Sequence, residues 1–288
     1  MTFLAPAIAL TSAFLFGLAL HLQRKGLVHQ DPLSGALISV ASTAVMFWGL
    51  AVFTVEWAWF FTSAALVFAL VGLVFPAGGQ WLQISAISKV GPALTSAIGS
   101  FTPLWAVVPA ILFLGEALSF QGVFGMTLMI LALLISAMAP KAFRGGWPLW
   151  ALLLPLGASM PRGFVQPIVK AGYAIVASPI FATTLMATVS SLVVFSVWLV
   201  QRPDHARPLT RPGVGWFILA GLVNGAGILA IFQAIGLAGV AAVAPLGSTS
   251  PLFALALGAF VFRTEVLRPR HYVVVALTVI GAVLLVSS

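Results

Sequence analysis

Residues 99–105 read Gly-Ser-Phe-Thr-Pro-Leu-Trp, and residues 247–253 read Gly-Ser-Thr-Ser-Pro-Leu-Phe. Gly99, Pro103 and Leu104 recur as Gly247, Pro251 and Leu252. Thr102 is exchanged for Ser250, and Trp105 for a second aromatic, Phe253. The copies stand about half the chain apart, and each sets glycine, hydroxyls and proline in the same order inside a long apolar run. This repeat predicts a duplicated membrane protein with a broken helix in each half.

Composition agrees. The 288 residues are 61% hydrophobic and 6% charged, with a mean hydropathy of +1.16, whereas soluble chains carry about 25% charge. The solvent for such a surface is the bilayer. At roughly 20 residues per span, the length allows about ten helices with short loops. The net charge of +8 would suggest nucleic acid in a soluble protein. Here Lys and Arg fall in the loops that membrane topology requires. The expected partners are therefore a small-molecule substrate and the lipid bilayer, with no nucleic acid, and a monomer suffices. The absence of cysteine removes disulfides, thiol catalysis and thiolate metal sites together. The first residues lack a basic segment and run on to Arg24 and Lys25, as a retained helix does and a cleaved signal does not.

In chain order, helices are predicted at residues 4–22, 33–55, 61–88, 93–114 and 120–139, then at 148–169, 179–200, 214–237, 240–262 and 272–286. Asp31-Pro32 and Ser178-Pro179 start equivalent helices, with proline at a first-turn position. Pro76, Gly78 and Gly79 predict a bend in the third helix, and residues 89–92 a turn. Trp57, Trp59, Trp147, Trp150, Trp198 and Trp216 stand near helix ends as interfacial anchors. Residues 141–147 are the linker, so residues 1–143 and 144–288 form two five-helix units. Five is odd, so the second unit is expected to lie upside down relative to the first. Basic residues follow the first, third, fifth, seventh and ninth helices, with Lys170 after the sixth. The excess of cations on the cytoplasmic side would then put both termini outside.

Catalytic signatures are absent from the sequence. Asp31, Glu56, Glu116, Asp204 and Glu265 all fall in loops or at helix ends. Glu116 and its counterpart Glu265 are expected to cap the helix that follows each. His21, His29, His205 and His271 lie near helix ends, mostly as surface groups. No nucleophile–base pair and no metal-ligand spacing emerges, so the chain is read as a non-enzyme without cofactor or metal.

The exception among the charges is Arg162, one to two turns inside the sixth span. An arginine at depth costs roughly 2.5–3.5 kcal/mol on insertion scales. It either anchors a carboxylate in a central cavity or snorkels toward the interface of Lys170. Ser159, Arg162 and Gln166 share one helix face, while Pro161 and Pro167 free nearby carbonyls. On the third helix Gln80 and Gln83 share a face with Pro76, with Trp81 beside it; these amides either bond across helices or line a wet cavity. Asn224 on the eighth helix is similar, with Gln233 on the opposite face. Thr95, Gly99, Thr102 and Trp105 form one stripe, matched by Val243, Gly247, Ser250 and Phe253. Pro103 and Pro251 are expected to free the carbonyls of Gly99 and Gly247 and either to serve a cavity or hinge or simply to kink packed helices, with Pro109 and Pro245 as second bend points. Phe101, Trp81 and Trp105 supply apolar walls, or pack as core.

The duplicated five-helix unit, Pro103 followed by Phe113-Leu114-Gly115-Glu116, and Pro251 followed by Phe262 and Glu265 together resemble the EamA-type transporters of the drug/metabolite transporter superfamily. The second copy departs from the pattern, with Arg263-Thr264 in place of Leu-Gly. The resemblance covers essentially the whole chain. It implies an all-α polytopic membrane protein with ten transmembrane helices, arranged as two inverted repeats around a central cavity. That cavity is lined by helices one, three, four, six, eight and nine. It further implies alternating access, an inner (plasma) membrane location and both termini in the cytoplasm, against the charge count. A YddG-like amino-acid exporter is the nearest comparison. The expected substrate site is then Gln80, Trp81, Gln83, Phe101, Thr102, Trp105, Ser159, Arg162, Gln166, Asn224 and Ser250. Uptake, or drug or lipid movement, is the alternative within the fold, and a membrane scaffold the alternative outside it.

Overall fold

The computed structural model describes residues 3–99, 101–137, 148–201, 209–264 and 269–287. Every regular element among the described residues is a helix. Helix α1 (Leu4–Gly26) and α2 (Pro32–Thr54) open the chain. The third apolar run divides into α3 (Ser63–Gly72) and α4 (Ala77–Gly99). Then come α5 (Thr102–Leu114), α6 (Phe120–Ala137), α7 (Leu153–Gly172), α8 (Pro179–Val200) and α9 (Arg211–Ala238). The ninth apolar run divides into α10 (Val240–Gly247), α11 (Ser250–Ala256) and a π-helical turn at Leu257–Val261, and α12 (Pro269–Val286) follows. Among the described residues six helices, taking Ser63–Pro92 and Val240–Val261 each as one, are long and apolar enough to cross a membrane, and shorter apolar helices accompany them.

The helix starts read from sequence hold. The Oδ1 atom of Asp31 accepts from the amides of Leu33 and Ser34, at 3.0 and 2.9 Å, satisfying donors that the helix itself leaves open. Ser178 does the same for Phe181 at 3.2 Å. The bend expected at Pro76 is a full interruption between Gly72 and Ala77.

The turn expected at residues 89–92 is present: Gly91 at φ 80°, followed by Pro92, breaks α4 into two helical pieces. Gly239 occupies the equivalent conformation, φ 82°, between α9 and α10; both lie where a side chain is strained and glycine is not. One expectation is corrected: Pro103 and Pro251 do not kink continuous helices. Each sits in the first turn of a new segment, α5 or α11, where its missing N–H removes nothing. The chain breaks before them, and the Gly99 carbonyl is taken by the Thr102 hydroxyl at 2.6 Å. Pro109 and Pro245 lie inside α5 and α10.

Packing exchanges the halves. Helix α1 packs along α9 and against α11, while α7 packs along α4 and α5. The pairs α2–α8 and α6–α12 each join an element to its own counterpart. Contact between α7 and α5 is close at Gly163, where an added Cβ would collide with Trp105 and the Thr102 carbonyl. Gly163→Val should therefore destabilise the protein by about 1–3 kcal/mol, the range for overpacking. Gly157→Ala, where the new methyl meets only Leu82 Cδ1 at 3.4 Å, should leave thermal unfolding in detergent unchanged.

Candidate functional site

The helix breaks converge. Gly99 and Thr102 at one, and Gly247, Ser248 and Ser250 at the other, line a central cavity together with Phe16 and Leu20 of α1, Phe75, Gln83, Arg162, Gln166 and residues of α9. These are the helices that the family resemblance assigns to a central cavity. Its space is about 50 Å³ for the centres of water-sized spheres. A water needs roughly 10–15 Å³ on that measure, so the chamber holds a few waters and is too narrow for an organic solute in this conformation.

The sequence left Arg162 between anchor and snorkel. Its guanidinium turns inward, half-buried, onto the cavity. Nη2 donates to Gln83 Oε1 at 2.8 Å, and the guanidinium carbon lies 4.9 Å from the centre of the Phe16 ring. Lys170 goes elsewhere, donating to the Ile235 carbonyl at 3.1 Å. Behind Gln83 a relay of amides runs in one direction. Gln83 Nε2 donates to Gln23 Oε1 at 3.0 Å, and Gln23 Nε2 donates to Gln80 Oε1 at 3.1 Å. No acid stands among the lining residues, and no described residue forms an ion pair with Arg162. The relay holds the guanidinium by a neutral acceptor and leaves its charge uncompensated, with donors free for an anion.

Among the expected site residues, Gln83, Thr102, Ser159, Arg162, Gln166 and Ser250 line the cavity. Gln80 is buried behind it in the relay. Trp105 stands one contact away, its Nε1 donating to Ser159 Oγ at 3.2 Å and its ring leaning on Phe164. Three others lie off the cavity. Trp81 is 37% exposed on the outer surface, Phe101 sits at the break without reaching the lining, and Asn224 is buried outside it. In a membrane helix both faces are apolar, so helical spacing does not reveal which one faces inward.

The sequence reading missed Gln23, Phe16 and Phe75. Gln23 is fully buried, but it precedes Arg24-Lys25 and reads as the polar end of a span. His21, expected near the surface, is also buried: it pairs with the Ala254 carbonyl at 2.7 Å and stacks on Phe262. Glu116 does not cap the following helix; Ser119 does, accepting from Gly122. Glu116 instead reaches into the other half and accepts from the amides of Val240 and Ala241, at 3.0 and 2.7 Å. Glu265, Asp204, His205 and the linker at residues 141–147 lie outside the described residues. No group of three or more His, Cys, Asp or Glu stands together among the described residues.

Gln23→Leu should cut the relay without touching the cavity wall. Arg162 would lose its fixed orientation, and apparent affinity for a carboxylate solute should fall about tenfold, the value of roughly one charge-assisted hydrogen bond. Concentration-dependent counterflow in liposomes checks it.

A membrane protein, helical in its described elements, whose helix breaks meet at a central chamber beside an arginine with no acidic partner among the described residues has the design of a solute carrier. The chain belongs to the EamA-like transporter family, whose model matches residues 4–138 and again 149–287. It is 36% identical over 141 residues to a Sinorhizobium sp protein described as an uncharacterized transporter in the cobO 3' region; the match covers 48% of this chain and 95% of that one. A solved structure described only as a crystal structure of a protein is similar over 98% of this chain and 96% of its own, with a TM-score of 0.73 and 14% identity. At that identity the likeness speaks for the fold alone. Membership of a transporter family agrees with reading the chain as a non-enzyme.

Proposed function

We propose that the protein exports small organic solutes carrying a carboxylate, amino acids with apolar side chains foremost, across the inner (plasma) membrane by alternating access. The observation that carries this is Arg162: a guanidinium in the central cavity, held by Gln83 and matched by no acid. Thr102, Ser159 and Ser250 offer hydroxyls, and Phe16, Phe75 and Ile228 an apolar surround.

In this reading residues 1–143 and 144–288 are five-helix units inserted in opposite senses, giving ten spans. The exchange of packing partners between halves, the family model matching twice, and a relative whose length is nearly consumed by half of this chain all support it. Rocking about the α4–α5 and α10–α11 breaks would widen the chamber toward one side and then the other. Pro103 and Pro251 preset the start of each second segment, while Pro109 and Pro245 interrupt hydrogen bonding within α5 and α10. The carrier acts as a monomer and uses no cofactor.

The test is counterflow of a labelled amino-acid panel in liposomes containing this protein alone. Saturable exchange of at least one apolar amino acid is expected; failure of the whole panel to exchange would sink the proposal. Because no carboxyl group stands among the described residues of the cavity wall to shuttle a proton, flux should follow the solute gradient without fixed proton stoichiometry. A pH-sensitive dye inside the liposomes reads this directly, and obligatory proton exchange would contradict it.

A further inference from the structure

The cavity contains a second polar group for which the protein supplies no complement. Gln166 lies four residues after Arg162 on α7 and is 5% exposed. Its Nε2 donates to the Arg162 carbonyl at 3.2 Å. A carbonyl can only accept, so this contact fixes which end of the amide faces the backbone. The other end, Oε1, is buried and has no hydrogen-bond partner among the described residues, in a side chain that lines the cavity. A buried acceptor left unpaired is costly, and it is explained where a ligand brings the donor.

We infer that Gln166 Oε1 accepts a hydrogen bond from a substrate ammonium, so that the cavity selects zwitterionic α-amino acids over carboxylates lacking the amine. This rests on reading Arg162 as the carboxylate anchor. Residues four apart on a helix have Cβ atoms about 5–6 Å apart. That spacing suits one ligand whose carboxylate and ammonium branch from the same carbon, each meeting one side chain. A neutral acceptor is also what the position requires. A carboxylate one turn from Arg162 would pair with the guanidinium and occupy the anchor itself, whereas an amide reads an ammonium and leaves the anchor free. Phe75, Ile228 and Ile231 on the remaining walls fit an apolar side chain. The sequence placed Gln166 on the right face but offered no distinct role for it.

The experiment is counterflow of labelled phenylalanine and labelled 3-phenylpropanoate, which differ only by the amine, with the parent protein, Gln166→Leu and Gln166→Met. The parent should prefer phenylalanine by roughly 10–100-fold, the worth of one charge-assisted hydrogen bond. Both variants should bring phenylalanine flux down to that of 3-phenylpropanoate. Flux of the latter should fall far less than that of phenylalanine, and unfolding midpoints in detergent equal to the parent's show the variants to be folded. Variants that keep the parent's preference overturn the inference, as do variants that lose both probes, which would make Gln166 a support for Arg162. A parent that carries both probes equally overturns the role of Gln166 and leaves the anchor standing. A parent that carries neither probe nor any other carboxylate overturns both.

Discussion

Arg162→Ala is expected to abolish carboxylate transport while leaving the protein folded and no less stable. Among the described residues of the cavity wall, Arg162 alone carries a formal charge. Removing it deletes one or two charge-assisted hydrogen bonds to the solute, each worth about 1.5–3 kcal/mol, so that affinity falls on the order of a hundredfold or more. Stability should move the other way or stay level, because an uncompensated arginine at depth costs roughly 2.5–3.5 kcal/mol. Gln83 Oε1, which loses its donor, can be met by water in a chamber that already has room for some. Arg162→Lys should fall between the two, since an ammonium keeps the charge but cannot present a planar fork. Counterflow beside thermal unfolding in detergent separates the effects. Intact transport by the alanine variant would remove Arg162 from the site.

Glu116→Ala should lose turnover by tenfold or more without a matching loss of substrate affinity. Glu116 follows α5, yet its two oxygens cap the first amides of α10. Gly239, where a Cβ would stand 2.9 Å from Oε1, permits that approach. Lys170 meanwhile donates to Ile235 at the end of α9. The α9–α10 joint is thus gripped by an anion at the start of one helix and a cation at the end of the other, the favourable arrangement for both helix dipoles. Removing the carboxylate exposes two backbone donors and should cost about 1–2 kcal/mol. Because the grip spans the two halves, the loss falls on their relative movement. Glu116→Gln keeps one acceptor and should retain intermediate turnover. Maximal rate and half-saturation measured on the same liposomes decide it; an unchanged rate with alanine would leave Glu116 as a local cap only.

Much of the fold was legible. The Gly99 and Gly247 repeats marked the breaks, and Asp31 and Ser178 marked helix starts, because capping is local chemistry written over a few residues. Arg162 stood out because charge at membrane depth is rare. What was not legible depends on contacts distant in sequence. Nothing near Glu116 names α10 as its partner, 124 residues on, so the adjacent helix was the natural reading. Gln23 borrowed the look of a helix end from the cations after it. Trp81 was misplaced for a different reason: lipid and protein core attract the same side chains, so an apolar helix does not declare its inward face. Pro103 and Pro251 were recognised as points of bending, but a proline before a break and a proline at the start of the next segment look the same in a sequence.

The amide relay also has an electrical consequence. Gln83, Gln23 and Gln80 orient Arg162 without neutralising it, so the empty chamber holds one positive charge. A bound plain carboxylate would cancel that charge, whereas a zwitterion would leave it in place. A charge crossing the full membrane field feels about 2.3 kcal/mol per 100 mV, and Arg162 would feel whatever fraction of that field the rocking halves move past it. In the proposed alternating-access cycle a zwitterion would therefore give the loaded and empty transitions the same charge, and voltage would act on both alike. With a plain carboxylate voltage would act on the empty transition alone.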